Sequence, residues 1–247
     1  MNTLVLLSGG LDSAVLAAHE AQHATVQPVY VSVGLAWERD ELAMLERLLA
    51  APVLAGRLLP LARVEFTMRD VYDPTHWAIR GAPPAYDTPE KDVYLTGRNL
   101  VLLTKAAVLA TKVRAQRIAL GPLAGNPFPD ARPEFFSAMA TALALGLGHA
   151  IEIVTPFLDW KKEQVIRRGA ELGVPLELTL SCMNPSAGAS GATGASGALP
   201  RHCGLCSKCR ERRDAFAGAG VTDPSVYAHP SPRSLEVELP AGVKQAH

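Results

Sequence analysis

Two periodicities alternate along this chain. Runs of apolar and β-branched residues at 3–7, 26–33, 64–66, 117–120 and 151–154 read as strands. Between them, residues 14–23, 38–51, 98–113, 132–147 and 161–172 carry apolar side chains at helical spacing. Leu42, Leu45, Leu48 and Leu49 share one face of the second of these helices. Gly173 followed by Pro175 is a helix stop. Strand alternating with helix predicts βαβ units and an α/β fold, a Rossmann-like parallel sheet with helices on both faces. Ligands of such sheets bind beyond the carboxyl ends of the strands. The segments 8–13, 34–36 and 121–127 are expected along that edge. Residues 72–96, rich in Pro, Gly, Asp and aromatic side chains, are too long for a plain connection and read as a functional loop.

A length of 247 residues suits one large α/β domain with a small appendage. The expected division is a nucleotide-binding domain at 1–180, a cysteine-bearing segment at 181–220 and a tail at 221–247. Lys+Arg and Asp+Glu both number 24. A protein built to grip duplex nucleic acid carries a basic excess, so nucleic acid is not expected as its main partner. No basic leader precedes the first apolar run, and no run is long enough to span a bilayer. A cytoplasmic, reducing setting with no membrane partner is expected. Residues 185–200 are almost entirely Gly, Ala and Ser. They lack side chains able to pack a core and read as a flexible surface insert, and the tail from residue 230 reads as loosely held.

Ser8-Gly9-Gly10-Leu11-Asp12-Ser13 follows a predicted strand and opens a predicted helix. Adjacent glycines let the backbone approach an anion, and amides at a helix start point at it, so this reads as the phosphate loop of a nucleotide site. The alternative is an ordinary Gly turn capped by Ser or Asp. Asp12 would repel phosphate directly, so its expected role is to help hold Mg²⁺ or to order the loop. The four cysteines all fall late in the chain, at Cys182, Cys203, Cys206 and Cys209. Two-residue gaps suit disulfides poorly, and four thiolates make a closed tetrahedral Zn²⁺ site. An iron–sulfur cluster is the main rival, and four unrelated buried thiols the plain alternative.

The hexapeptide resembles the pyrophosphate loop of the ATP pyrophosphatase superfamily. Further segments occur in an order and spacing that resemble the 7-cyano-7-deazaguanine synthase family. They are Tyr94-Leu95-Thr96-Gly97-Arg98-Asn99, residues 128–136, Leu158-Asp159-Trp160-Lys161-Lys162, and Glu177-Leu178-Thr179-Leu180-Ser181-Cys182 with the three cysteines after it. The resemblance spans nearly all of residues 1–217. It implies an adenine nucleotide α-hydrolase-like sheet and a homodimer. It also implies an ATP-dependent ligase that turns a 7-carboxy-7-deazaguanine and ammonia into a nitrile.

Carried over by position, Asp12, Arg98 and Lys162 are the expected catalytic residues. Residues 8–13 and Tyr30 are expected at ATP. Asp130 and Arg132 are expected at the deazapurine, with His76 and Trp77 from the long loop beside them. The alternative for the last pair is that Trp77 plugs the core and His76 is a solvated loop residue. The chain departs from the family's pattern at Gly34-Leu35-Ala36-Trp37-Glu38, where Tyr-Gly-Gln is usual, at Phe128 in place of Tyr, and at Ala131 in place of Cys. These changes touch the acceptor and spare the phosphate loop and the cysteines. Two other readings stay open: a divergent enzyme that activates another acceptor for nitrogen or sulfur transfer, tRNA thiolation included, and a nucleotide-binding module without catalysis. Deleting most of residues 186–199 is expected to leave metal content unchanged, because the insert supplies no ligand; elemental analysis of the shortened protein checks this.

Overall fold

The first apolar run forms β1 (Asn2–Leu6), the middle strand of a five-stranded sheet. The computed structural model describes residues 2–186 and 199–233, so most of the Gly/Ala/Ser insert and of the tail lie outside the described residues. The other strands are β2 (Thr25–Ser32), β3 (Ala62–Glu65), β4 (Arg117–Ala119) and β5 (Glu152–Val154). Their order is β3-β2-β1-β4-β5, and every pairing is parallel. The chain reverses its direction of sheet growth between β1 and β4. A crevice opens at such a switch point, beyond the carboxyl ends of the two strands.

Both faces of the sheet are covered, as a parallel sheet requires. Successive residues of β1 point to opposite sides, so Leu4 enters one apolar cluster and Val5 the other. On the Val5 side lie α1 (Leu11–Glu20), α2 (Glu38–Ala50) and α6 (Lys162–Glu171), through Leu16, Leu45, Leu48 and Ile166. On the Leu4 side lie α4 (Arg98–Val113) and α5 (Pro133–Leu147), through Leu103, Ala106, Ala110 and Phe136. Leu4, Val5, Leu103 and Ile166 are fully buried, each contributing about 1.5–3 kcal/mol by leaving water. The α1–α6 contact is close because Gly169 has no Cβ; one built there would lie 2.7 Å from Val15 Cγ2.

Predicted and observed elements agree to within one to three residues over most of the sheet domain. Two segments differ. Residues 72–96 are not irregular throughout: α3 (Trp77–Arg80) forms a single turn, and Glu90–Val93 forms a 3₁₀ turn. The cysteine segment continues into α7 (Ser207–Ala219), which the apolar pattern did not show. Its inward residues include Cys209, Arg212, Phe216 and Ala219, so two of the buried positions carry residues that periodicity does not count as apolar.

Arg212 docks α7 onto the sheet domain. Its side chain is wholly buried, and each of its three nitrogens donates to oxygen. Nε donates to Ser225 Oγ at 2.6 Å, Nη1 to Thr179 Oγ1 at 2.9 Å and Ser181 Oγ at 3.1 Å, and Nη2 to the Leu176 carbonyl at 2.8 Å. Asp223 lies 3.8 Å from Nε and offsets the charge. Removing one member of such a network strands the others. Arg212→Met is expected to cost about 3 kcal/mol of stability, and Arg212→Lys, which keeps the charge but not the fork, less. Urea unfolding of the two variants checks the order.

Candidate active site

The switch-point crevice is a cavity of about 710 Å³, within the range of small-molecule sites. Its floor is the turn from β1 into α1. Gly9 there has φ +82, a left-handed conformation that suits glycine, and a Cβ would lie 3.3 Å from both the Glu41 carbonyl oxygen and Leu45 Cβ. The loop therefore presses against α2. The Gly10 amide donates to Ser8 Oγ at 3.2 Å, and Ser13 Oγ donates to the Gly10 carbonyl at 3.0 Å. No side chain caps the first turn of α1, and the first bond of the helix runs from the Ala14 amide to the Gly10 carbonyl at 3.0 Å. The amides of Leu11, Asp12 and Ser13 precede that bond, and all three residues line the cavity. This is the geometry of a helix terminus that receives an anion.

Charged groups converge on the loop from three other elements. Lys162, at the start of α6, places Nζ 3.1 Å from Asp12 Oδ2 and 2.5 Å from Glu211 Oε1 of α7. Burial alone would lower the Lys162 pKa, but the carboxylates of Asp12 and Glu211 outweigh it and raise it. Burial opposes ionisation of Glu211 too, and Lys162 and Lys208 overcome it, holding that carboxyl at about 2. The other oxygen of Asp12, Oδ1, is buried and has no hydrogen-bond partner, and the same is true of Arg98 Nε at the start of α4. A buried orphan oxygen beside a phosphate loop suits a bound cation.

The opposite wall is aromatic and acidic. Tyr30 donates its hydroxyl to Glu41 at 2.9 Å. Burial, reinforced by Glu41, raises the tyrosine pKa, and burial raises that of Glu41 to about 7, with Arg98 pulling the other way. Trp37 and Trp77 stack with their planes 9° apart. Tyr94 and Phe128 stack at 4.8 Å between centroids. Asp130 is buried, accepts from the Asn99 amide at 3.1 Å, and has a pKa raised by that burial.

The structure thus brings Ser8, Gly10, Leu11, Asp12, Ser13, Tyr30, Arg98, Lys162, Asp130 and Trp77 into the lining of one cavity. Gly9 stands behind the loop. Arg132 and His76 are not on the wall. Arg132 is exposed at the boundary of α5. His76 caps α3, its Nδ1 accepting from the Ala78 amide at 3.2 Å, and its ring lies on Tyr72. Sequence reasoning registered Trp37 only within the departure at residues 34–38, and missed Glu41, Lys208 and Glu211 as site residues. Glu41 was readable only as one more acid on an amphipathic helix, and the last two needed α7.

The four cysteine sulfurs lie within 4.8 Å of one another and are all buried. Three of their separations are 3.5, 3.8 and 4.0 Å. A tetrahedron with metal–sulfur bonds of about 2.3 Å has edges of about 3.8 Å. Backbone amides of Asn184, Cys203, Gly204 and Leu205 donate to these sulfurs at 3.2–3.4 Å, as they do to ligating thiolates. The set fits a metal ion. His202 is not part of it: its Nε2 accepts from the Ser181 amide at 3.2 Å, and burial, then Arg212, hold its pKa down to about 3.

Fold and site together define an α/β protein with a loop of the pyrophosphate kind at its switch point and a cysteine cluster that could hold a metal ion. The chain belongs to the family of the queuosine biosynthesis protein QueC, whose family model matches residues 2–220. It is similar to proteins named 7-cyano-7-deazaguanine synthase. The one from Methanothrix thermoacetophila is 34% identical over 91% of this chain and 97% of the relative. That from Magnetococcus marinus is 33% identical over 93% and 98%, and that from Anaeromyxobacter dehalogenans 35% over 91% and 95%.

Glu41 makes a pH-dependent contribution to stability. Its pKa rises from 4.5 to about 7 on folding, so the folded protein holds the extra proton between those values. Stability from this group is full below about pH 4.5 and declines as pH rises toward 7. Glu41→Gln retains an acceptor for Tyr30 and should remove that decline. The difference between wild-type and variant unfolding curves from pH 4.5 to 8 measures it.

Proposed function

We propose that this chain is an ATP-dependent carbon–nitrogen ligase that converts 7-carboxy-7-deazaguanine and ammonia into 7-cyano-7-deazaguanine for queuosine biosynthesis. The observation that carries this reading is the Asp12–Lys162 pair set beside the uncapped N-terminus of α1 in a chain of the QueC family. Relatives bearing the synthase name align over almost their whole length, which supports it further.

The chemistry follows from a poor leaving group. A carboxylate oxygen must be activated before ammonia can displace it, and the amide oxygen must be activated again before its loss leaves the nitrile. The amides of residues 11–13 and the hydroxyls of Ser8 and Ser13 would hold the ATP phosphates, while Arg98 and Lys162 offset the charge that develops on them. Mg²⁺, held through the free oxygen of Asp12, would neutralise phosphate oxygens. Tyr30 would serve as a wall of the nucleotide end, since its hydroxyl is already committed to Glu41. At the acceptor end, Asp130 would accept from the amino and ring N–H edge of the base, and Trp77 would border the ring. With Arg132 and His76 away from the wall, neither is assigned a role.

Zn²⁺ is the metal we assign to Cys182, Cys203, Cys206 and Cys209, as a structural ion in a closed thiolate set. Such thiols need a reducing compartment, which favours the cytoplasm. Among the described residues, no helix is long and apolar enough to cross a membrane. A second copy of the chain is the partner we assign to the face of α4 and α5, which exposes Leu100, Val108 and Leu145.

Incubation with ATP, ammonium and the deazaguanine acid should yield the nitrile by mass spectrometry. ATP turnover with other acceptors only would favour the divergent-enzyme reading, and no turnover at all the non-catalytic one. Asp12→Asn should lower turnover at least about 100-fold with melting temperature and metal content intact; normal activity would remove Asp12 from the chemistry. Elemental analysis should find one zinc per chain, whereas iron with acid-labile sulfide would overturn the metal assignment.

A further inference from the structure

Helix α7 serves the metal site and the cavity at once. Cys206 stands at its start and Cys209 in its first turn, and between and after them Lys208 and Glu211 reach the cavity wall. A carboxylate is an odd neighbour for a phosphate loop, because it repels the ligand the loop is built to receive. Its partners account for it. Glu211 Oε1 accepts from Lys162 Nζ at 2.5 Å, and Oε2 accepts from Lys208 Nζ at 2.6 Å. Each oxygen of one planar group therefore holds one ammonium. Lys162 is held from the other side by Asp12 at 3.1 Å, and Lys208 by Glu90 at 3.4 Å. Lys162 is 14% exposed and Lys208 26%, so both heads sit against the cavity rather than free in solvent.

A lysine head is a point charge on a flexible stem, and a pair of fixed acceptors is what restricts it to one place. We propose that Glu211 is a positioning residue, which holds Lys162 and Lys208 at the cavity wall so that the metal-anchored helix contributes to the cation cradle for the nucleotide's phosphates. The proposal rests on the nucleotide reading given above. It gives the cysteine site a second role, since fixing the start of α7 also fixes where Glu211 stands and thereby where two cations stand.

The test is a calorimetric titration of the full chain, metal bound, with MgATP and no acceptor. Glu211→Gln should weaken binding at least threefold. In a background carrying Lys162→Met and Lys208→Met, the same substitution should change affinity less than 1.5-fold, because a residue acting through the lysines has nothing left to act on. Glu211→Asp, which keeps the charge on a shorter arm, should recover part of the loss. Metal content and melting temperature are read in parallel; if Glu211→Gln fails to fold, Glu211→Asp is compared in both backgrounds, and a loss in the wild-type background but not in the lysine-free one supports the proposal. Tighter or unchanged binding by Glu211→Gln would overturn it, as simple repulsion would then be the carboxylate's main effect. An equal loss in the lysine-free background, or a loss that follows metal release, would also overturn it by marking a packing role. A wild-type chain that binds no MgATP would sink the nucleotide reading and this proposal with it, whereas wild-type binding without the coupled loss would sink the proposal alone.

Discussion

The buried guanidinium of Arg212 is the constraint on which the arrangement of the two sites depends. A charge taken fully out of water is tolerated only when its donors are satisfied, and here they are satisfied by residues from two stretches of chain, 176–181 and 225. The first stretch runs past the phosphate loop, where the Leu180 amide donates to the Gly9 carbonyl at 2.9 Å, and is followed directly by Cys182. The guanidinium itself belongs to α7, three residues after Cys209. One side chain thus fixes the distance between the loop that receives phosphate, the first sulfur of the metal set and the helix that carries the last. Apolar residues replacing the whole network could match its stability but would not aim four oxygens.

That geometry explains the charge distribution in the cavity. Asp12 and Glu211 hold Lys162, and Glu211 and Glu90 hold Lys208, so the protein's own acids fix two of its cations before any ligand arrives. Preorganised charge of this kind is worth most where water is excluded and the groups need not rearrange. Glu41 follows a different logic from Glu211. Glu41 is buried and Glu211 half-buried, but Glu211 has two ammonium partners and stays ionised well below neutral pH, while Glu41 has mainly a phenol and burial against it, and its proton is held to about pH 7. Environment, not residue type, separates the two carboxyls.

Much of this was readable from the residues alone. The inner strands show as apolar runs because they are buried on both faces, whereas the edge strand β3 is half-buried and shows more weakly, and α4 could be placed to the residue because its apolar period is unbroken between Gly97 and Arg114. The phosphate loop and the cysteines show because their chemistry needs particular residues at particular spacings. What was not readable depends on tertiary contact. Helix α7 hides its inward face behind Cys209 and Arg212. His76 and Trp77 are neighbours in sequence, yet one caps a short turn and the other faces the cavity, a division set by the single turn of α3 and not by either residue's type. Arg132 follows Asp130 by two residues, but Asp130 is drawn inward by the Asn99 amide while Arg132, at the start of α5, faces solvent.

The aromatic wall bears on how a planar acceptor can be recognised. Trp37 and Trp77 lie nearly parallel with centroids 5.8 Å apart, so each indole already has one face engaged by the other. Tyr94 and Phe128 engage each other in the same way. Rings paired like this leave less free face for sandwiching a guest and present more edge. On the proposed reading, discrimination at this end would come chiefly from a polar group of fixed position, Asp130, anchored by Asn99. A carboxylate reads paired N–H donors, which is the edge a guanine-like ring presents. The departure at residues 34–38 supplies Trp37 and thereby one half of the first stack, but it leaves the Asp130–Asn99 anchor untouched. A changed shape at the wall with an unchanged acceptor behind it would alter how a ring is bordered without altering which hydrogen-bonding edge is accepted.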